Sequence, residues 1–457
     1  MKSFFKFKGI LKLPALLFVV ICGLLMACGS SDTKYTVIFE SNGGNVIEAQ
    51  SVVKGQTAKR PLNPIRNNYE FDSWYSDAAL TIVYDFISKI TGNITLYAKW
   101  IGNSFEITFN NNLGSGGPTA IETRYGSPMA ELTVNSQPIR IGHYFTGYFD
   151  AATEGTKYYN ADLTSARNWD KANIAMLYAQ WDVLPEMEMV LIPAGTFLMG
   201  SPTTEAWRNS DELQREVTLT NSFHMGKYLV TQEQFIAVMG KNISFGHGGP
   251  GREPAAGEEQ KRRPVDFASW YDVIVFCNKL SLMEGLTPAY RINGKLDPAD
   301  WGPIPNKYID GTNDAIWDAV EIVVGSTGYR LPTEAQWEYA CRAGTTTAYN
   351  TGETISNDTG WYVDNSDSKS HEVGKKPANN WGLYDMHGNL WQWCWDWYGP
   401  YASDDLVDPF GPISGSSRVW RGGAWTDHER GLRSAYRGSR APTYTAMCLG
   451  GFRVVLP

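Results

Sequence analysis

Between residues 35 and 181 the chain states one pattern twice, and this self-similarity limits the fold more than any single motif does. YTVIFESNGG (35–44) is answered by FEITFNNNLGSGG (105–117), NPIRNNYEFDSWY (63–75) by QPIRIGHYFTGYF (137–149), and NITLYAKW (93–100) by NIAMLYAQW (173–181). In each copy apolar and polar residues alternate over short runs that Gly and Asn interrupt, and the last run is capped by aromatics. Each copy therefore predicts a small β-rich module. Residues 182–186 read as a linker into a Trp- and Gly-rich remainder, and the total of 457 residues leaves room for roughly two to four globular units. Forty Lys and Arg stand against 48 Asp and Glu, for a net charge of −8. No domain-sized stretch is basic, so nucleic acid is excluded as a partner.

The N-terminus is of another kind. Lys2, Lys6, Lys8 and Lys12 precede an apolar run over residues 14–27 that is too short for a resident membrane helix and has the flanks of a secretory signal. The run ends in Leu25, Met26, Ala27 and Cys28. These residues resemble a bacterial lipobox, which implies cleavage before Cys28 and lipidation of its thiol; an ordinary signal with an incidental cysteine is the alternative. Loss of the four lysines takes the net charge from −8 to −12. The two copies that follow resemble the Listeria-Bacteroides repeat, or internalin-type B-repeat. The resemblance implies ubiquitin-like modules that act as a stalk or, less often, as a binding surface.

Past residue 186 three helix starts and an extended segment stand out. Thr231 is placed to cap a helix from Gln232, with Gln234 returning the bond, and Thr333 with Gln336 repeats the device. Ser269 caps a third, whose Val273, Phe276, Cys277 and Leu280 share a face. In GLYDMHGNLWQWCWDWYG (382–399), Trp391, Trp393, Trp395 and Trp397 recur with a period of two, so four indoles line one face of an extended segment, and a core role is expected. Cys277, Cys341 and Cys394 are expected as buried thiols. With Cys448 they show neither CxxC nor zinc-ligand spacing, and no pairing follows from sequence.

RLPTEAQWEYA, GLYDMHGN, RGGAW and GFRVV, in this order, resemble the formylglycine-generating enzyme, or sulfatase-modifying factor, family. The resemblance implies an irregular α+β domain of C-type-lectin-like fold over residues 186–457. The expected organisation is thus a lipoprotein signal (1–27), a lipidated tether (28–33), two small β-rich ubiquitin-like repeats (34–101 and 104–182) and this sulfatase-modifying-factor domain. In the family, two cysteine thiolates shortly after RGG bind copper. In this chain Asp427 and Leu432 stand at those places and no cysteine occurs from Gly399 to Met447. A pair of soft thiolates cannot form there, so copper is not expected and binding is favoured over catalysis. The resemblance also implies structural calcium, with Asp385, Gly388, Leu390 and Gln392 as its ligands; the family usually carries Glu at the last position, and Gln lowers the expected affinity.

The tail mixes two kinds of residue. Arg421, Gly422, Gly423, Trp425, Arg433, Tyr436, Arg437, Pro442, Gly451, Phe452 and Arg453 look like family scaffold, whereas Thr426, Asp427, His428, Arg430, Gly431, Gly438, Ser439, Arg440, Ala441, Thr443, Tyr444, Ala446 and Cys448 follow no pattern. Small, hydroxyl, charged and aromatic types side by side suit an adaptable binding surface. The arrangement resembles the variable proteins of diversity-generating retroelements, which implies ligand contacts from Asp427, His428, Arg430, Arg440 and Tyr444 with Trp425 beneath them. The expected protein is an exported, lipid-anchored, surface-exposed lipoprotein that binds a protein or glycan. A formylglycine-generating oxidase acting on an exported sulfatase, and a purely structural envelope protein, are the other readings.

Overall fold

A computed structural model of the chain describes residues 32–132, 137–173, 176–245, 251–305, 313–401, 407–445 and 449–457. Cys28 with the whole signal segment, and Ala446 and Cys448 in the tail, lie outside the described residues. The chain divides after Ile101 into two compact units.

The first unit is the first repeat. Strands Lys34–Glu40 and Ile94–Gly102 pair in parallel, with Gln50–Val53 beyond the first of them and Tyr69–Tyr75 beyond the second. Alternation places Val37, Phe39, Leu96 and Ala98 in its core around Trp74. The shared ends of the two copies have a packing reason. A Cβ on Gly44 would stand 2.5 Å from the Trp100 ring, whose indole donates to the Ser41 carbonyl at 2.8 Å. Gly114 meets Trp181 in the same way in the second copy.

The second unit holds the second repeat and everything after it. Ser104–Asn110 again pairs in parallel with the repeat's last strand, Met176–Val183, and His143–Phe149 lies on that strand's other side. The linker is pinned at two points: the Leu184 amide donates to the Gly142 carbonyl at 3.0 Å, and Gln234 donates to the Glu186 carbonyl at 2.8 Å. The Gly142 amide in turn donates to the Met283 carbonyl at 2.8 Å.

The C-terminal domain carries helices α1 (Gln232–Met239), α2 (Trp270–Met283), α3 (Ala315–Asp318) and α4 (Glu334–Arg342). The expected caps are in place: Thr231 and Thr333 form capping boxes with Gln234 and Gln336, and Ser269 forms one with Asp272. Between α2 and α4 lies a four-stranded sheet ordered Gly438–Arg440, Arg418–Arg421, Trp391–Trp397, Gly450–Gly451, so every neighbour of the Trp strand comes from the tail. Residues Trp391, Trp393 and Trp420 pack toward α2, whereas Cys394 and Val419 pack toward α4. Both faces are therefore covered, and the indoles are core. A register shift follows Trp393, and beyond it Trp397 closes over the Arg418 guanidinium at 3.5 Å. Cys277, Cys341 and Cys394 are buried and free.

The α4 face of this sheet is ionic. Arg437 grips Glu334 with two bonds of 2.7 and 2.8 Å, and Arg421 reaches both Glu334 and Glu338. Glu338 also accepts from the Gly200 amide at 2.8 Å and from Arg342 at 2.9 Å. Nearby, Arg433 holds Glu212 bidentately at 2.7 and 2.8 Å and Glu205 at 2.5 Å. Glu338, Arg421 and Arg433 are all fully buried. Removing one member strands a charge away from water. Glu338→Ala is expected to lower the unfolding free energy by roughly 3–5 kcal/mol, read from the urea transition of tryptophan fluorescence. A change below 1 kcal/mol on that scale would deny the network its structural role.

Candidate functional site

The tail sorts by exposure along the division drawn from its sequence. Arg421, Arg433, Arg437, Phe452 and Arg453 are buried, and each of the four arginines is hydrogen-bonded. Thr426, His428, Arg430 and Arg440 are exposed, and Asp427, Gly438, Ser439, Ala441 and Tyr444 are half-buried. Two pattern-free residues depart from this, since Gly431 and Thr443 are buried. Gly431 cannot face outward because its carbonyl packs against Gly423, where a Cβ would approach it to 2.8 Å.

Four of the six expected contact residues converge. The rings of Trp391 and Trp420 stack at 5.9 Å, and Tyr444 meets Trp420 edge-on at 5.7 Å. The Arg440 guanidinium lies 5.2 Å from the centroids of both Trp420 and Tyr444. Burial raises the Asp427 carboxyl above its usual range, while the Ala424 amide at 2.9 Å, the Trp391 indole, Arg440 and His428 pull it back down. Asp427, His428, Arg440 and Tyr444 thus form a charged and aromatic rim around a tryptophan floor. The sequence pattern marked Trp391 as core but gave no sign that Trp420 continues the same floor from the next strand. A Cβ on Gly438 would stand 2.9 Å from the Trp391 ring, so a side chain there would push into the floor.

The other two are placed elsewhere. Trp425 packs with Tyr228, Leu229, Val373 and Leu390, its amide donating to the Asn389 carbonyl at 3.0 Å, so it supports a neighbouring cluster rather than this rim. Arg430 sits on the 3-10 turn Glu429–Leu432, with its carbonyl accepting from Arg433 and its side chain exposed.

Nor do Asp385, Gly388, Leu390 and Gln392 fit calcium. The Gln392 side-chain oxygen already accepts from the Trp337 indole at 2.8 Å and from Arg453 at 3.2 Å, and its amide nitrogen donates to the Asp385 carbonyl. The Asp385 carboxylate accepts from the Gly374 amide at 2.8 Å and faces Asn389 at 3.3 Å. A buried guanidinium, Arg453, also acts on Asp385. Donors and a fixed positive charge occupy the places a cation would need.

At the position of the second family thiolate, Leu432 is fully buried with Ala348, Tyr349 and Tyr362. Its carbonyl accepts from His387 Nδ1 at 2.7 Å, and His387 Nε2 accepts from the Asn350 amide at 3.1 Å, an arrangement that fixes the neutral tautomer. Cys341 lies 3.6 Å from the same Nε2, its thiol pushed up to about 12 by burial. Burial pushes His387 down to about 4. Below the ordinary histidine value of about 6.5 the unfolded chain takes up a proton that the folded chain refuses. Stability contributed by this group is therefore intact above pH 6.5 and is lost toward pH 4, by about 3 kcal/mol. Urea midpoints of the parent and of His387→Gln should differ clearly at pH 7 and converge near pH 4.5; an equal gap at both values would contradict the assignment.

Comparison with known proteins places this geometry. Residues 175–457 match the family described as the sulfatase-modifying factor enzyme 1-like domain, and residues 35–99 and 105–180 match the Listeria-Bacteroides repeat domain. The chain is 32% identical over 290 residues to the chaperone protein LppX of Paenibacillus barcinonensis, covering 59% of this chain and 89% of that protein. It is 26% identical over 288 residues to the formylglycine-generating enzyme of Streptomyces coelicolor, covering 57% and 87% of the two. Among solved structures, Treponema denticola variable protein 1 superposes with a TM-score of 0.51 at 36% identity, over 59% of this chain and 94% of that one. The chain belongs to the sulfatase-modifying factor enzyme 1-like domain family, with two Listeria-Bacteroides repeats ahead of that domain.

Proposed function

We propose that this protein is a surface-exposed bacterial lipoprotein whose C-terminal domain binds a protein or glycan through the rim of Asp427, His428, Arg440 and Tyr444, and that it does not generate formylglycine. The observation that carries the reading is the sorting of the tail. Arg421, Arg433 and Arg437 are locked in buried ion pairs and Arg453 in buried hydrogen bonds, while Asp427, His428, Arg440 and Tyr444 lie exposed or half-buried around Trp391 and Trp420. Such a division lets contact residues change without cost to the frame. The likeness to a variable protein supports binding at this end, and a relative named as a chaperone is in keeping with it. Against catalysis stands the chemistry of the two positions after RGG, a carboxylate that caps a turn and a leucine inside an apolar cluster.

Anchoring at the membrane rests on the Lys-flanked apolar run and on Cys28. Among the described residues no helix is long and apolar enough to cross a membrane.

Two measurements test the proposal. Joint replacement of the exposed His428 and Arg440 by Ala should shift the thermal midpoint by only a few degrees, since surface changes cost little, and should abolish capture of surface glycans and proteins on an array. A variant that unfolds would return these residues to the scaffold. Incubation of the full chain with copper and a sulfatase-motif peptide should leave the peptide mass unchanged. Appearance of the formylglycine product would overturn the reading in favour of an oxidase.

A further inference from the structure

A second cavity lies on α2, apart from the Trp391–Trp420 rim. It has a volume of about 690 Å³, within the range of roughly 300–1,000 Å³ usual for small-molecule sites. Its floor is the face of α2 that carries Asp272, Val275 and Lys279, spaced by three and four residues as one helical stripe requires, and beside the Val273, Phe276, Cys277 and Leu280 face that enters the core. Met239, Ile243, Phe267, Pro303 and Ile304 supply apolar walls, Thr445 closes one edge, and Lys241 stands exposed beside them.

Two lysines and two carboxylates lie in or beside this cavity, and among the described residues they form no ion pairs with one another. Of the two carboxylates near it, Asp272 is held in the capping box of α2, accepting from the Ser269 amide at 2.9 Å and its hydroxyl at 2.5 Å. Asp297 is spent on the Ala299 amide at 2.9 Å, capping the turn Pro298–Asp300. Among the described residues neither Lys241 nor Lys279 forms an ion pair. Burial pushes the half-buried Lys279 ammonium below the usual lysine range, Asp297 partly restores it, and Lys241 lowers it further. Two ammonium groups thus act on each other inside an apolar cleft.

The backbone adds an independent sign. Phe267 has φ of 63°, a left-handed conformation that a bulky residue adopts only when its surroundings force it. They do so here from both sides. Asp266 accepts from the Phe245 amide at 2.6 Å, and the Ala268 carbonyl accepts from the Trp393 indole at 2.8 Å. The ring is thereby held against Phe245 at 5.8 Å and forms one wall of the cavity.

We propose that this cavity binds a small amphipathic carboxylate, its head at Lys279 and Lys241 and its aliphatic body along Met239, Ile243, Phe267 and Val275. Neither ammonium group is held by an ion pair among the described residues, so a carboxylate can bond to them directly, and the chain replaces water on an apolar surface.

Calorimetric titration of the full chain with decanoate, below the concentration at which it forms micelles, tests this. Decanoate should bind saturably with one site, and decyltrimethylammonium, of equal chain length and opposite charge, at least tenfold more weakly. Lys279→Met should weaken decanoate at least tenfold and should melt no lower than the parent, because it removes a poorly solvated charge; Lys279→Arg should bind. If Lys279→Met does not fold, Lys241→Met at the exposed mouth must by itself weaken decanoate several-fold. Absence of saturable binding, equal affinity for the two amphiphiles, or folded lysine-to-methionine variants that bind as the parent does would overturn the proposal. None of these measurements involves the rim, so the two readings stand or fall separately.

Discussion

Glu338 lies in the middle of the C-terminal domain with no exposed surface, and three donors share its two oxygens: the Gly200 amide, Arg342 on its own helix and Arg421 from the tail. One turn earlier Glu334 takes Arg437 and Arg421. Taking such charges out of water is unfavourable, and only complete pairing offsets it. A single helix of nine residues therefore fixes the loop at residue 200, the strand Arg418–Arg421 and the segment that carries Arg437. Each carboxylate must meet its guanidinium at hydrogen-bond distance, so the pairs set how α4 lies against these segments.

The same constraint explains how the tail can be both rigid and changeable. Arg421, Arg433 and Arg437 point inward to the carboxylates of α4 and of residues 205 and 212, whereas Thr426, His428, Arg430 and Arg440 are exposed. Substitution at Thr426, His428, Arg430 or Arg440 breaks none of the buried pairs. Gly431 and Thr443 lie inside, and these two positions share the limits of the scaffold.

What could be read in the sequence was local. Capping residues act within four positions of themselves, so Thr231, Ser269 and Thr333 announced three helices and the structure places each start as expected. The period of two at Trp391–Trp397 announced an extended core segment, and the paired motifs at 35–44 and 105–117 announced two like sheets. What could not be read was long-range. Nothing near Trp425 shows that it packs with Tyr228 and not under Arg440. Nothing near Gln392 shows that Trp337, fifty-five positions earlier, and Arg453, sixty-one later, both donate to its side-chain oxygen. Nor does the sequence near Gly142 show that its amide bonds to the Met283 carbonyl and ties the second repeat to the domain it precedes.

The two positions after RGG where the family carries thiolates are both drawn into local structure in this chain. Leu432 occupies one position and seals it with tyrosine rings, and its carbonyl has become the acceptor that holds His387 neutral. Asp427 occupies the other and folds its carboxylate back onto the Ala424 amide. Neither an apolar side chain nor a carboxylate bonded within its own turn is a soft ligand. The same stretch of tail presents Arg440 and Tyr444 around paired indoles, a surface suited to contacts with a partner. Asp427 and Leu432 thus close this turn from within, and the segment that follows carries Arg440 to the Trp420 ring.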